Sequence, residues 1–336
     1  MSNSLEDIAR IVGVSKSTVS RVVNNHPNVS HHTRERVLAA IREHNFYPNT
    51  AARALVTQRT HVLSVIIPQA LSSTFTDPYF PALIQSISVT ASQHDYAIML
   101  WIGNTEEEEE RFLSRIISNR FSDGVLVASA IDGDPLIRTL TESEIPFVLV
   151  GPPQPGVMHW VDVDNLAGGR AAVEHLIKLG YRRIGTITGP LNMGAAQHRL
   201  QGYREAFQNA QRPIDEQLIV VGNFDELSGY RAMRQLIEAG VDAVFAASDT
   251  MAIGALRAIA EADLCVPDDI AVIGHDDLPF AANTTPPLTT VHQPVTDLGR
   301  SAADLLIRLV EGTLNDHQSV MLAAHLIIRG SCGAQS

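Results

Sequence analysis

Residues 13–25 read GVSKSTVSRVVNN. Val14, Val19, Val22 and Val23 take the inward positions of a turn and a short helix, leaving Ser15, Lys16, Ser17, Thr18, Ser20 and Arg21 toward its N-terminal end and outer face. Upstream, Ser4 followed three residues later by Asp7 is a capping signal, and Leu5, Ile8, Ala9 and Val12 recur at helical spacing until Gly13 stops the pattern. Downstream, Ser30 caps a third helix running to about His44, with Val37, Leu38 and Ile41 inward and Arg34, Arg36 and Arg42 largely outward. Three short helices, the first two joined by a turn of about three residues, make a helix-turn-helix. The second helix of such a unit enters the major groove of DNA. It needs cations for guanine and phosphate, and short hydroxyls that donate or accept at close range.

The rest of the chain is a different kind of object. The 336 residues carry a net charge of −12, yet residues 1–60 hold one Lys and seven Arg against four acids, a net of +4 that leaves −16 on residues 61–336. A small basic head on a large acidic body is the asymmetry expected when one end meets a polyanion. With 45% hydrophobic and 18% charged residues the chain has enough apolar side chains for a substantial globular core. No basic segment followed by an apolar run opens the sequence and no stretch of about 18 apolar residues occurs, so a cytoplasmic location is expected, nucleoid-associated when bound to DNA. Cys265 and Cys332 are isolated and are expected to be plain structural residues.

Between head and body lies FYPNTAARALVTQRT, residues 46–60. Pro48 ends the third helix, Asn49 can cap another, and Thr50 to Thr57 is helix-prone but shorter than the roughly 12 residues an isolated helix needs. Such a segment folds only against a partner, DNA included.

The head resembles the DNA-binding domain of the LacI/GalR family of bacterial transcription repressors, through its GVS-xx-TVSRV core and YPN-xx-A-x-x-L hinge. That resemblance implies base reading by Lys16, Ser17 and Arg21. It implies backbone or minor-groove contacts by Ser15, Thr18, Asn24, Ser30, Thr33, Asn49 and Ala52, and makes Leu55 the wedge that unstacks a base step and kinks the duplex.

From His61 onward, strand-like runs alternate with amphipathic segments: VLSVIIP, AIMLWIG, GVLVAS, PFVLVG, WVDVD, RIGTITG, LIVVG, AVFAAS and IAVIGHD. Repeated βα units imply parallel sheets covered by helices, about two sheets' worth, with ligands bound outside the carboxyl ends of the strands. VDVDNLAGGRAAVEHLIKLGYRRIGTITGP, HRLQGYREAF, SDTMAIGALRA, VIGHDD and PPLTTVHQP resemble the family's regulatory core, which is similar to periplasmic sugar-binding proteins. The expected fold is thus an all-α helix-turn-helix head (1–48), a hinge helix and linker (49–60) and an α/β effector-binding and dimerisation core (61–331). The core would have two parallel-sheet subdomains, about 61–163 with 292–322 and about 164–291 with 323–331.

In the cleft the resemblance selects Arg199, from R-L-x-G-[YF], and Asp276, from G-x-D-D. A guanidinium and a carboxylate can each grip two adjacent hydroxyls, which orients a polyol; a salt bridge between subdomains without a ligand is the other reading of the pair. Tyr79, Phe80 and Phe224 are candidate aromatic platforms or plain core, and Ser248 and Gln293 match further effector positions, Ser248 being equally able to cap the helix at Asp249. Purine-binding members carry an arginine where this chain has Met193, Ala195 stands where a hydroxyl is common, and Gly151 replaces an aspartate of a galactoside-binding member. A purine is therefore disfavoured, galactoside contacts are not reproduced, and the long SSTFTDPYF wall, residues 72–80, suits an oligosaccharide.

The other signals carry less. Glu106 to Glu110 is an acidic run at a helix start, Trp101 and Trp160 sit in strand patterns, and the 13 histidines make no metal-ligand spacing. No nucleotide fingerprint, phosphate loop or nucleophile elbow occurs, so neither enzyme, cofactor nor metal is expected. The expected partners are a pseudo-palindromic duplex operator, a mono- or oligosaccharide effector and a second copy of the chain, with no membrane. No leucine heptad follows Arg329, which favours a dimer. Effector release of DNA is the commoner direction among relatives. The competing classes are a sugar-transport receptor, which the head contradicts, and a Rossmann-type enzyme, which lacks its fingerprint.

Overall fold

The computed structural model describes residues 4–23, 26–44, 46, 59–67, 78–102, 116, 121–128, 130–314 and 316–334. The chain divides into two compact units, Met1–Thr60 and His61–Ser336.

In the first unit, α1 (Leu5–Val12), α2 (Lys16–Val23) and α3 (His31–Glu43) bury Ile8, Ala9, Val12, Val19, Val22, Val37, Ala40 and Phe46 together. α1 starts on the expected capping box. The Asp7 amide donates to Ser4 Oγ at 3.2 Å, and the Ser4 amide donates to the Asp7 carboxylate at 2.9 Å. It stops at Gly13, whose φ of 71° is the left-handed conformation that glycine adopts without strain. Leu38, expected inward, is exposed, and Ala40 is the buried residue instead: a three-helix unit this small closes around one side of α3 only.

The second unit holds two six-stranded sheets. One has the order β11-β5-β4-β3-β1-β2, built from β1 (Val62–Ile67), β2 (Ala97–Ile102), β3 (Gly124–Ala128), β4 (Phe147–Val150), β5 (Trp160–Val163) and β11 (Ser319–Leu322). The other has the order β12-β10-β9-β8-β6-β7, from β6 (Ile184–Thr188), β7 (Ile219–Val221), β8 (Ala243–Ala246), β9 (Ala271–Asp276), β10 (Thr289–His292) and β12 (His325–Ile327). Every pairing is parallel except β10 with β12. The chain passes between the sheets after β5, after β10 and after β11.

Covering helices give each sheet two buried faces, which is why strands such as VLVA and AVFA read as unbroken apolar runs. The first sheet packs on α4 (Tyr79–Gln93) and α10 (Val295–Val310), with Leu63, Leu83, Ile87, Leu126 and Leu306 fully buried. Each such side chain stabilises the fold by about 1.5–3 kcal/mol. α5 (Pro135–Glu142) covers the same sheet through Leu136, Ile137 and Leu140. The second sheet is covered by the helix pair α6 (Asn165–Lys178) and α7 (Gly194–Asn209) and the pair α8 (Glu226–Glu238) and α9 (Asp249–Glu261).

Candidate DNA-reading surface and ligand cleft

At the N-terminal end of α2, Ser15 Oγ lies 2.8 Å from both Ser17 Oγ and Thr18 Oγ1 and accepts from the Thr18 amide at 3.1 Å. This capping network holds three hydroxyls in one cluster. Ser15, Lys16, Ser17 and Arg21 are exposed, Thr18 half-buried, and Lys16 Nζ pairs with Glu6 at 2.7 Å. Val19 and Val22 lock the opposite face into the core, so the polar face cannot turn inward. Ser30 caps α3, accepting from the Thr33 amide at 3.3 Å and donating to Thr33 Oγ1 at 2.9 Å. Arg34 and Arg36 serve the fold as well as the surface: Arg36 donates to the Val12 carbonyl at 2.5 Å and Arg34 to the His26 carbonyl at 2.6 Å. Asn24, Asn49, Ala52 and Leu55, and with them the hinge helix, lie outside the described residues, as do the acidic run and most of the SSTFTDPYF wall.

In the second unit a hollow opens where strands of both sheets end. Tyr79, Ala130, Leu149 to Pro152, Gln154 and Asp162 line it from the first sheet's side, and Asn165, Met193 to Ala195 and Arg199 from the second's, with Gln293 at a crossing. Beside it the two sides touch. The Asp132 amide donates to the Asn192 carbonyl at 2.8 Å, and Gln197 Nε2 donates to Asp132 Oδ2 at 2.7 Å.

Arg199 organises the polar wall. Its Nε donates to Asn165 Oδ1 at 2.8 Å, its Nη1 donates to the Ala247 carbonyl and lies 3.5 Å from Asp276 Oδ1, and its guanidinium carbon sits 5.7 Å from the centre of the Phe224 ring. Asp276 also accepts from Gln293 Nε2. Arg199 and Asp276 are 6% and 5% exposed. Burial pushes the Asp276 carboxyl up to about 6, against the pull of the Arg199 guanidinium and the Gln293 amide. His275 Nδ1 is 3.3 Å from the same oxygen. Burial, reinforced by the Arg199 charge, holds that imidazole well below its ordinary range, so it stands beside Asp276 as a neutral group. Asp276 and Asp277 have φ of 120° and 57°, and Phe224 has 58°. Backbone strain of this kind concentrates where side chains are held for function.

The expected effector residues separate into three groups. Tyr79, Arg199 and Gln293 line the hollow, and Asp276 backs Arg199 and Gln293. Phe224 lies between Arg199 and Gly189, where the ring fills the space a Cβ on Gly189 would need. Phe80 and Ser248 are placed otherwise. Phe80 is buried in the first sheet's core, edge-on at 5.1 Å to Tyr79, which is only partly buried against the same core. Ser248 caps α9, accepting from the Met251 amide at 3.1 Å. Asp162 and Asn165, which the sequence reading does not select, also line the hollow. A signal was present: an aspartate between two valines at the carboxyl end of a buried strand, where ligands gather in parallel sheets.

A helix-turn-helix unit and a two-sheet core with a polar interdomain cleft, carried on one chain, define a ligand-responsive DNA-binding regulator. Residues 4–49 match the model for bacterial regulatory proteins, lacI family, and residues 173–332 the periplasmic binding protein-like domain. The HTH-type transcriptional regulator CelR of Thermobifida fusca is 40% identical over 334 residues, 98% of each chain, and the ribose operon repressor of Escherichia coli K12 is 36% identical over 335 residues, 98% of this chain and 99% of that one. Among solved structures, a CelR–cellobiose complex aligns with TM-score 0.78 at 38% identity, covering 98% of this chain and 99% of that one. A Lac repressor dimer bound to operator and the anti-inducer ONPF aligns with TM-score 0.86 at 28% identity, covering 99% and 100%. The chain belongs to the LacI family of bacterial regulatory proteins.

Proposed function

We propose that this protein is a transcription repressor that binds a pseudo-palindromic operator as a homodimer and is released from it by a neutral sugar, with cellobiose as the leading candidate. The observation that carries the sugar half is the buried Arg199–Asp276 pair with Gln293 and Asn165 beside a cleft between two sheets. Cellobiose is preferred because a cellobiose complex is so similar over nearly the whole chain. A purine finds no second cation here: Met193 and Ala195 line the wall, and Arg199 is the one basic residue among the described lining residues.

In this reading Lys16, Ser17 and Arg21 read bases, while Ser15, Thr18, Ser30 and Thr33, with Asn24, Asn49 and Ala52, make backbone or minor-groove contacts and Leu55 is the wedge. Tyr79, Phe224, Arg199, Asp276 and Gln293 serve the effector. Phe80 and Ser248 contribute through the core and the α9 cap. The protein works in the cytoplasm, without enzymatic activity or cofactor. No helix among the described residues is long and apolar enough to cross a membrane, and no described group of three or more His, Cys, Asp or Glu is placed to hold a metal.

The switch is differential affinity. A sugar that bridges the two sides stabilises one arrangement of the subdomains over the other, and operator affinity follows that arrangement. The test is fluorescence anisotropy on a duplex recovered by selection from a random pool. Affinity should fall about 10³-fold between roughly 50 and 200 mM salt, and cellobiose should release the duplex at fixed salt. Binding indifferent to salt would remove the repressor reading; affinity that rises with cellobiose would reverse the direction of control.

The same assay resolves the role of Arg21. Arg21→Ala should weaken binding to the selected duplex by about 1–3 kcal/mol and relax preference at one position of each half-site. Equal weakening on selected and random duplexes would make Arg21 a phosphate contact instead.

A further inference from the structure

We propose that Asp162 is a specificity-determining residue of the cleft, accepting hydroxyl groups of a neutral polyol and excluding anionic sugars; this rests on the sugar-controlled reading above. Asp162 is the penultimate residue of β5, just before the crossing into the second sheet's side, is 4% exposed, and lines the hollow with Asn165 and Arg199. Its strand neighbours Val161 and Val163 are fully buried in the first sheet's core. A carboxyl placed on a valine strand carries a desolvation penalty that the fold alone gives no reason to bear.

The partners of Asp162 leave it capacity for a ligand. Asn165 Nδ2 reaches both carboxylate oxygens, at 3.2 and 3.5 Å, and also donates to the Val163 carbonyl at 3.0 Å. A carboxylate offers about four lone-pair sites, so Asn165 does not exhaust the acceptor positions of this lining residue. The arrangement also ties Asp162 to the wall across from it: Asn165 accepts from Arg199 through Oδ1 and donates to Asp162 through Nδ2. A hydroxyl seated on Asp162 therefore touches the same network that holds Asp276.

Charge decides which ligands fit. Arg199 is already shared among Asp276, Asn165 and the Ala247 carbonyl. Asp162 therefore has no cation of its own among the described lining residues. A phosphorylated sugar would bring a further negative charge against two carboxyls and one guanidinium, whereas a neutral sugar presents donors to the carboxylate at no charge penalty.

The protonation of Asp162 makes this measurable. Burial pushes its carboxyl up to about 7, against the Val163 amide, the Arg199 charge and the Asn165 amide, while Asp164 pushes it further up. Its flanking strands β4 and β11 bring only valine, leucine, phenylalanine, serine and methionine, so Arg199 and Asp164 are the charged groups acting on it. Near neutrality the group holds a proton part of the time, and hydroxyls that donate to it select the carboxylate. Ligand binding then releases a proton, and affinity rises with pH to a plateau above 8.

The experiment is calorimetric titration of the full chain with cellobiose and with glucose 6-phosphate at pH 6 and pH 8, for wild type and Asp162→Asn. Wild type should bind cellobiose about tenfold more tightly at pH 8, following the ionised fraction, and should not bind the phosphate ester. Asp162→Asn, which keeps shape and volume, should melt near the wild-type temperature, lose most of the pH step, keeping only the smaller one that Asp276 at about 6 supplies, and bind cellobiose more weakly at pH 8. Wild-type affinity equal at both pH values, a pH step as large in Asp162→Asn as in wild type, or a preference for the phosphate ester would each overturn the role of Asp162 while leaving a sugar receptor standing. A folded wild-type chain that binds neither probe would overturn the sugar reading and this proposal with it.

Discussion

Arg199→Ala is expected to abolish the response to sugar and to lower the stability of the core by about 3–5 kcal/mol, the usual effect of removing one partner from a buried ion pair. The guanidinium serves Asn165, the Ala247 carbonyl and Asp276 at once, all within a nearly buried wall. Truncation leaves a buried carboxylate without its cation. Asp276 can respond by taking a proton, since burial already pushes it up to about 6 with the guanidinium in place. The sign follows from linkage. A carboxyl whose folded pKa lies above its unfolded value stabilises the fold most below the unfolded value, and that contribution is lost as pH rises through the folded one. Without Arg199 the folded value climbs further, so the variant falls away from wild type as pH rises above about 6. Thermal midpoints at pH 5 and pH 8 check this: the gap between wild type and Arg199→Ala should widen at pH 8. Operator binding through the head should persist, insensitive to sugar. A variant with a wild-type sugar response would remove Arg199 from the ligand site.

A comparable loss should follow from Gly202→Ala, a change that in an ordinary exposed helix would stabilise by about 1 kcal/mol. Here α7 crosses α6 glycine to glycine. A Cβ on Gly202 would stand 2.3 Å from the Leu166 carbonyl oxygen and 2.6 Å from the Arg170 nitrogen, and one on Gly169 would stand 2.5 Å from the Arg199 carbonyl oxygen. These are backbone atoms of a packed helix and cannot swing aside. The helices must separate, at a cost of about 3 kcal/mol for overpacking. Because the crossing sets Arg199 of α7 beside Asn165 of α6, the separation should also loosen the 2.8 Å hydrogen bond between them and weaken sugar binding. Chemical denaturation and calorimetry on one preparation read both effects. A Gly202→Ala chain as stable as wild type would mean that the helices do not approach this closely.

The glycine crossing shows what local sequence can and cannot reveal. HRLQGYREAF announces a helix with an arginine three residues before a glycine, and the family resemblance marks that arginine as an effector residue. Neither shows that the glycine is what lets Arg199 reach Asn165. Phe80 and Ser248 show the same kind of gap between residue type and placement. An aromatic in TDPYF and a serine before a helix are chemically suited to a site, but helix phase sends Phe80 to the core and the α9 amide claims Ser248. Asp162 went unremarked in the opposite direction. Its neighbours read as an ordinary buried strand, and only the meeting of β5 with α6 and α7 turns its carboxyl into part of a cleft.

The sequence by itself determined the parts whose causes are local: the capped α1, the Gly13 turn, the polar face of α2, and the alternation of buried strands and amphipathic helices that demands parallel sheets. Those features follow from hydrogen bonds and apolar periodicity within a few residues. Only the tertiary structure decided the polar wall of the hollow, because Asp162, Asn165, Arg199, Asp276 and Gln293 come from chain segments as much as 131 residues apart in number and meet where strands of two sheets end. The protonation of Asp162 and Asp276 was decided there too, since burial acts through the packing of distant segments and cannot be read from either residue's neighbours in the chain.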